Sequence, residues 1–117
     1  MNAVFRQRGD AVDYIPEADV SAGDVVVQND LVGVAKLDIK AGERGALALT
    51  GVYAVTKATG AGAAIEAGVK LQWNATGAIV TPDTDDGGSP ATVYPYLGKS
   101  TLAAGDDDET VQVRLDQ

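Results

Sequence analysis

Short runs of aliphatic residues alternate along the chain with polar connections rich in Gly, Asp and Asn. In the final run, Val111, Val113 and Leu115 alternate with polar residues. This two-residue periodicity predicts a strand with one buried face, because successive side chains of a strand point to opposite sides of the sheet. The other runs are also short and rich in β-branched residues, so the pattern as a whole predicts an all-β fold.

Two hairpins are expected where neighbouring runs are joined by turn residues. Asn29 and Asp30 connect the runs 24–28 and 31–37, and this pair tolerates the positive φ of a tight turn. The segment 74–77 connects the runs 69–73 and 78–81 in the same way. Each pair of runs therefore predicts two antiparallel strands.

The remaining aliphatic runs predict further strands. A short edge strand is expected around Val12 and Tyr14, and Pro16 ends it. Residues 46–56 are expected to form one long strand with a bend or bulge at Gly51. Additional strands are expected over 93–97 and 110–115.

One short phrase recurs four times: an aliphatic residue, any residue, then Ala-Gly, at 20–23, 39–42, 65–68 and 102–105. It predicts turns, because Gly adopts positive φ without steric cost. The first and third phrases precede the two hairpins at an offset of 45, and the second and fourth are offset by 63. These offsets fit an internal duplication with an insertion in the second half, and they fit chance reuse of turn residues about equally well.

Length and composition narrow the fold. A chain of 117 residues without Cys has room for one domain, built without disulfides or thiolate metal sites. Little or no helix is expected, because the Ala-rich stretch 58–67 contains Gly60 and Gly62. We predict a small compact β-barrel or sandwich with short hairpins: an extended N-terminal arm over 1–10, then a single β domain over 11–117 with an acidic loop at 81–90.

Charge disfavours two classes of partner. The net charge is −8, and because Arg6 and Arg8 lie among the first nine residues without any acid, the remainder carries −10. Such a body repels nucleic-acid phosphates and anionic lipids, so neither nucleic acid nor membrane is expected as a partner. No signal peptide or membrane span is recognisable, which makes the cytosol the expected site of folding.

The residue inventory argues against an enzyme. The chain has no His and no Cys, and its acidic clusters lack the apolar neighbours that would raise a carboxyl pKa. Asp83, Asp85 and Gly87 resemble the opening of a calcium loop without its closing Glu, so a solvated loop is the leading interpretation. The Gly98-Lys99-Ser100 segment fails as a phosphate-binding loop, because the Gly required five residues earlier is Val93. We expect no catalytic residues, cofactor or metal.

Two aromatic residues have different expected environments. Trp73 alternates with Val69 and Leu71, which favours packing in the core over a role as a ligand platform. Phe5 lies in the arm beside Val4, outside any strand pattern. It is either an anchor for a partner or part of a frayed terminus.

The order of these phrases resembles a known family. The segments that carry the resemblance are 23–26 (Gly-Asp-Val-Val), 31–35 (Leu-Val-Gly-Val-Ala), 39–42 (Ile-Lys-Ala-Gly), 51–57 (Gly-Val-Tyr-Ala-Val-Thr-Lys), 67–73 (Ala-Gly-Val-Lys-Leu-Gln-Trp) and 111–115 (Val-Gln-Val-Arg-Leu). Together they are similar to the capsid cement, or decoration, proteins of tailed phages and prophages, whose members were long labelled as recombinases. The acidic stretch 83–90 and the low aromatic content depart from the family pattern.

The resemblance implies a structural virion protein, made in the host bacterial cytoplasm, that binds the outer surface of the phage capsid and stabilises the expanded head. Such proteins typically act as homotrimers that clamp neighbouring major capsid subunits. It transfers no catalytic residue. We expect the arm residues Val4, Phe5, Arg6 and Arg8 to contact the capsid, and the edge strand around Tyr14 to extend a sheet of the neighbour. The alternative is a soluble, non-enzymatic binding module of phage or prophage origin that recognises a glycan or another host-surface ligand through the loop 81–90, near Tyr94 and Tyr96.

Overall fold

A computed structural model of the protein describes residues 2–117, and Met1, which the predicted arm includes, lies outside the described residues. Within that range the protein contains nine strands and no helix. The strands are β1 (Ala11–Tyr14), β2 (Val25–Gln28), β3 (Leu31–Ala35), β4 (Gly45–Ala48), β5 (Val52–Thr56), β6 (Lys70–Asn74), β7 (Ile79–Thr81), β8 (Tyr96–Ser100) and β9 (Thr110–Leu115).

The strands form two antiparallel sheets, which confirms the predicted all-β class. The first sheet has the order β1-β4-β3-β2, and the second has the order β5-β9-β8-β6-β7. In the second sheet the end strands approach each other at a single bridge between Lys57 and Val80. The architecture is therefore sandwich-like, and it does not close into a complete barrel.

Both predicted hairpins are present. Asn29 has a φ of 53°, so the two-residue turn between β2 and β3 uses the left-handed conformation that its sequence permits. The turn between β6 and β7 likewise contains Ala78 at positive φ. Strand β9 also has the predicted alternation, since Val111, Val113 and Leu115 are buried and the residues between them are exposed.

Two predicted strands are wrong in position. Residues 46–56 do not form one bent strand, because β4 belongs to the first sheet and β5 to the second. Gly51, at a φ of 109°, lies in the connection by which the chain leaves one sheet for the other. The strand expected over 93–97 is β8, which begins three residues later, after Pro95. Proline lacks the N–H that a strand uses for pairing.

The structure shows an internal duplication. Strands β1, β2, β3 and β4 have counterparts in β5, β6, β8 and β9, because both sheets place these strands in the same order. An isolated bridge joins Val20 to Ile39 in the first half, and an equivalent bridge joins Ile65 to Ala104 in the second. The first pair of positions is offset by 45, as the sequence suggested, whereas the second is offset by 65 rather than 63. The insertion thus contains the extra edge strand β7 and the connection that follows it.

Each half contains its own cluster of buried apolar residues, and β3 contributes to both. Ala35 packs in the first cluster, with Val26, Ile39 and Leu47. Val32 and Val34 pack in the larger second cluster, together with Val55, Ile65, Leu71, Trp73, Val80, Leu97, Ala104, Val111, Val113 and Leu115. Trp73 is therefore a core residue, as predicted. Because both faces of β3 are buried, this strand joins the two halves into one packed unit.

Candidate functional site

The N-terminal arm is the most exposed apolar segment of the protein. Residues 2–8 have no regular secondary structure and all are exposed. The side chains of Val4 and Phe5 are 63% and 82% exposed. Arg8 forms a solvent-exposed ion pair with Asp10 at 3.2 Å, which fixes the arm only weakly at the start of β1. The arm thus presents two apolar and two basic side chains outside the core.

Strand β1 continues from the arm and forms one edge of the first sheet. It pairs only with β4, and Leu49 N–H donates a hydrogen bond to the Asp10 carbonyl at its start. In an antiparallel pair the bonding direction alternates, so the backbone groups of Ala11 and Asp13 face the open side. Tyr14 has its ring packed partly against the first core. The open edge of β1 therefore presents the backbone N–H and C=O groups of Ala11 and Asp13, directly beside the arm.

The acidic loop uses its carboxylates to hold its own backbone. Asp85 Oδ1 accepts a hydrogen bond from Gly87 N–H at 2.9 Å. Asp86 Oδ1 accepts from the N–H groups of Gly88 and Thr92 at 2.8 and 3.0 Å, and the Gly88 bond is the main cause of the lowered pKa of Asp86. Within residues 2–117 no group of three or more potential ligand side chains is placed to hold a metal.

A buried lysine was not identified from the sequence. Lys57 is 3% exposed, and its Nζ donates hydrogen bonds to the carbonyl oxygens of Ala58, Gly105 and Asp108 at 2.8 to 2.9 Å. All three donors of the ammonium are satisfied, so Lys57 holds the acidic turn 105–109 against the end of β5. Its role is structural. The only sequence signal is its position after the apolar alternation of β5.

An open groove between the two halves was also missed. It encloses about 930 Å³ and is bounded by β2 on one side and β5 on the other. Its walls are mostly apolar, and they include Val25, Val27, Tyr53, Val55 and Trp73, with Asp24 and Lys36 as the charged members. The groove arises because two strand edges from distant parts of the chain meet across it, which local periodicity does not reveal.

The family of the chain can be stated from its sequence as a whole. The family model of the phage cement proteins matches residues 6–115, nearly the full length. The chain belongs to the phage cement protein family. This family is structural and non-enzymatic, so membership implies association with a phage capsid and a place at the capsid surface of the virion.

Other comparisons add no relatives. No curated protein and no solved structure matches the chain. Over residues 2–117, no helix has the length and apolar character needed to cross a bilayer. The assignment of this cement protein to its family thus rests on the family match, and the all-β fold is in agreement with it.

Proposed function

We propose that this cement protein binds the outer surface of the expanded phage head as a homotrimer and stabilises the head by clamping neighbouring major capsid subunits. The observation that carries the proposal is the exposed arm, in which apolar and basic side chains continue directly into a free strand edge. The affinity of such a surface for the capsid is highest when several linked copies bind together, because each contact raises the effective concentration of the next.

The contact residues divide by chemistry. Val4 and Phe5 supply apolar area, and Arg6 and Arg8 supply positive charge, whereas the remainder of the chain is net negative. The edge around Tyr14 supplies backbone donors and acceptors at Ala11 and Asp13, to which a strand of the capsid subunit can add. Tyr14 itself supports this edge by packing on the first core.

Deletion of residues 2–9 tests the assignment. The variant is expected to fold normally, because residues 2–8 lie outside both cores. It should fail to cosediment with expanded heads and should not raise the temperature at which they rupture. A suitable control is Val93→Ala, which removes a 75% exposed side chain outside the arm and should bind as the unmodified protein does. Undiminished binding and heat protection by the deletion variant would rule out the arm as the capsid contact.

A further inference from the structure

The groove between the halves has a second feature beyond its apolar walls: both bounding strands present unpaired backbone. On β2, Ala35 N–H donates to the Asp24 carbonyl, so the alternation of the pair leaves the groups of Val25 and Val27 on the outer edge. On β5, Leu115 N–H donates to the Gly51 carbonyl, which leaves the groups of Ala54 outward; beyond it, the end of the strand bridges to β7 at Lys57 and Val80. An extended segment lying in this groove can therefore bond to a strand edge and bury apolar side chains at once.

The N-terminal arm of the same protein has the apolar side chains and the positive charge that complement this groove. It has no regular secondary structure, it contains the adjacent apolar residues Val4 and Phe5, and neither of these packs in a core of its own chain. Charge also favours the contact, because residues 1–9 have two arginines and no acid whereas residues 10–117 carry −10. Asp24 on the groove wall accepts a hydrogen bond from Ser21 N–H through Oδ2, which leaves Oδ1 for Arg6 or Arg8, although Lys36 also lines the groove.

The topology favours an arm from another copy. The arm enters the first sheet at β1, and β2, which borders the groove, is at the opposite edge of that sheet. Three strand spacings separate these edges, roughly 14 Å, and to cross them the chain must pass over the face of the sheet. No residue of the arm lines the groove of its own chain in the described structure.

We propose that the groove between β2 and β5 receives Val4 and Phe5 from the arm of a second copy of this chain, which adds as a short strand along β2. Such a contact joins two different surfaces of identical subunits, and it closes into a ring when repeated by rotation. The contact rests on the proposed function and narrows it: the arm crosses to its neighbour along the capsid surface, the apolar pair contacts the groove, and Arg6 and Arg8 are the arm residues left to contact the capsid.

A thiol-exchange experiment tests the contact, because the protein has no cysteine and each variant introduces a single thiol. Phe5→Cys is converted to its mixed disulfide with thionitrobenzoate and mixed with Val27→Cys, and release of the chromophore gives the rate of intermolecular exchange. The control acceptor is Val93→Cys, whose position is 75% exposed against 39% for Val27, so simple accessibility favours the control. Trp73 fluorescence verifies that each variant is folded.

We expect exchange with Val27→Cys to be at least tenfold faster than with Val93→Cys, and expect Asp24→Lys in the acceptor to reduce the difference. Rates that are equal, or faster for the control, overturn the proposal, whatever other partner the groove binds. Head binding does not enter the measurement. Head binding is measured separately, by cosedimentation. If the two exchange rates are equal but the protein binds heads, only the groove contact is rejected. If the rates differ as expected but the protein does not bind heads, only the proposed function is rejected.

Discussion

At the residue scale, Lys57 shows how a charged side chain becomes part of the core. Its ammonium lies among three carbonyl oxygens, and two of these belong to the turn between Ala104 and β9. Substitution by Met keeps the apolar stem and removes the donors, so the three carbonyls around the Lys57 side chain lose their partner. We expect Lys57→Met to lower the free energy of unfolding by about 1–3 kcal/mol in urea titrations. The exposed Lys40→Met should change it by less than about 0.5 kcal/mol, and equal effects would contradict the structural role.

Tyr96 gives a second prediction at this scale, through pH. Its hydroxyl donates a hydrogen bond to Asp116 Oδ2 at 3.1 Å. Burial is the larger cause and this hydrogen bond the second cause that raise the pKa of Tyr96 above its ordinary value. The folded protein therefore holds this proton more tightly than the unfolded chain does. The resulting stability is complete below the ordinary tyrosine pKa, about 10, and is lost as the pH rises through the higher folded value.

We therefore expect the stability advantage of the unmodified protein over Tyr96→Phe to shrink between neutral pH and pH values above about 10. Urea unfolding of both proteins across this range provides the measurement. The comparison removes the contribution of other groups that titrate at alkaline pH, since both proteins contain them. A constant difference between the two proteins across the range would show that the tyrosine proton is not linked to folding.

At the scale of elements, the sequence predicted strands where local chemistry decides the structure. The β2–β3 hairpin follows from Asn29 and Asp30, and β9 follows from strict alternation. The sequence predicts a bend at Gly51, because a glycine between two apolar runs has the same local signature in a bend and in a change of sheet. The duplication was visible as repeated turn phrases, but its register depended on pairing between distant residues.

The duplicated glycines provide a prediction at this scale. Gly33 and Gly98 lie 65 positions apart, at equivalent places on β3 and β8. A Cβ on Gly98 would meet the Arg114 carbonyl oxygen, and one on Gly33 would lie 2.9 Å from Leu47 Cβ and 3.0 Å from the Ala48 carbonyl oxygen. We expect Gly98→Ala to cost about 3 kcal/mol and Gly33→Ala about 1 kcal/mol in chemical denaturation, because each forces neighbouring backbone to move.

Gly9→Ala is the matched control for both glycine variants, since a Cβ there meets nothing within 4 Å. Its stability should equal that of the unmodified protein. If Gly98→Ala is as stable as Gly9→Ala, the close approach of β8 and β9 does not exist in solution. A larger cost for Gly33 than for Gly98 would likewise contradict the packing of the two sheets.

At the scale of the whole molecule, contacts between the halves decide both the fold and the candidate surfaces. Gln117 Oε1 accepts a hydrogen bond from Val32 N–H of the first sheet. Its Nε2 donates to the carbonyls of Tyr96 and Leu97, which both lie on β8 of the second sheet. The exposed arm was predictable because Val4 and Phe5 fit no strand pattern. The groove was not, because it exists only where β2 and β5 are brought together.

Shared packing on β3 predicts that the halves unfold together. Leu47 is fully buried in the first core, whereas Trp73, the single tryptophan, lies in the second. Leu47→Ala leaves a cavity that should cost about 2–5 kcal/mol. Because Ala35 packs against Leu47 while Val34 packs with the second core, Trp73 fluorescence and circular dichroism should shift to the same lower urea midpoint. The exposed Leu37→Ala should shift neither signal. A Trp73 transition that stays in place while circular dichroism reports an earlier step would show that the halves are independent folding units.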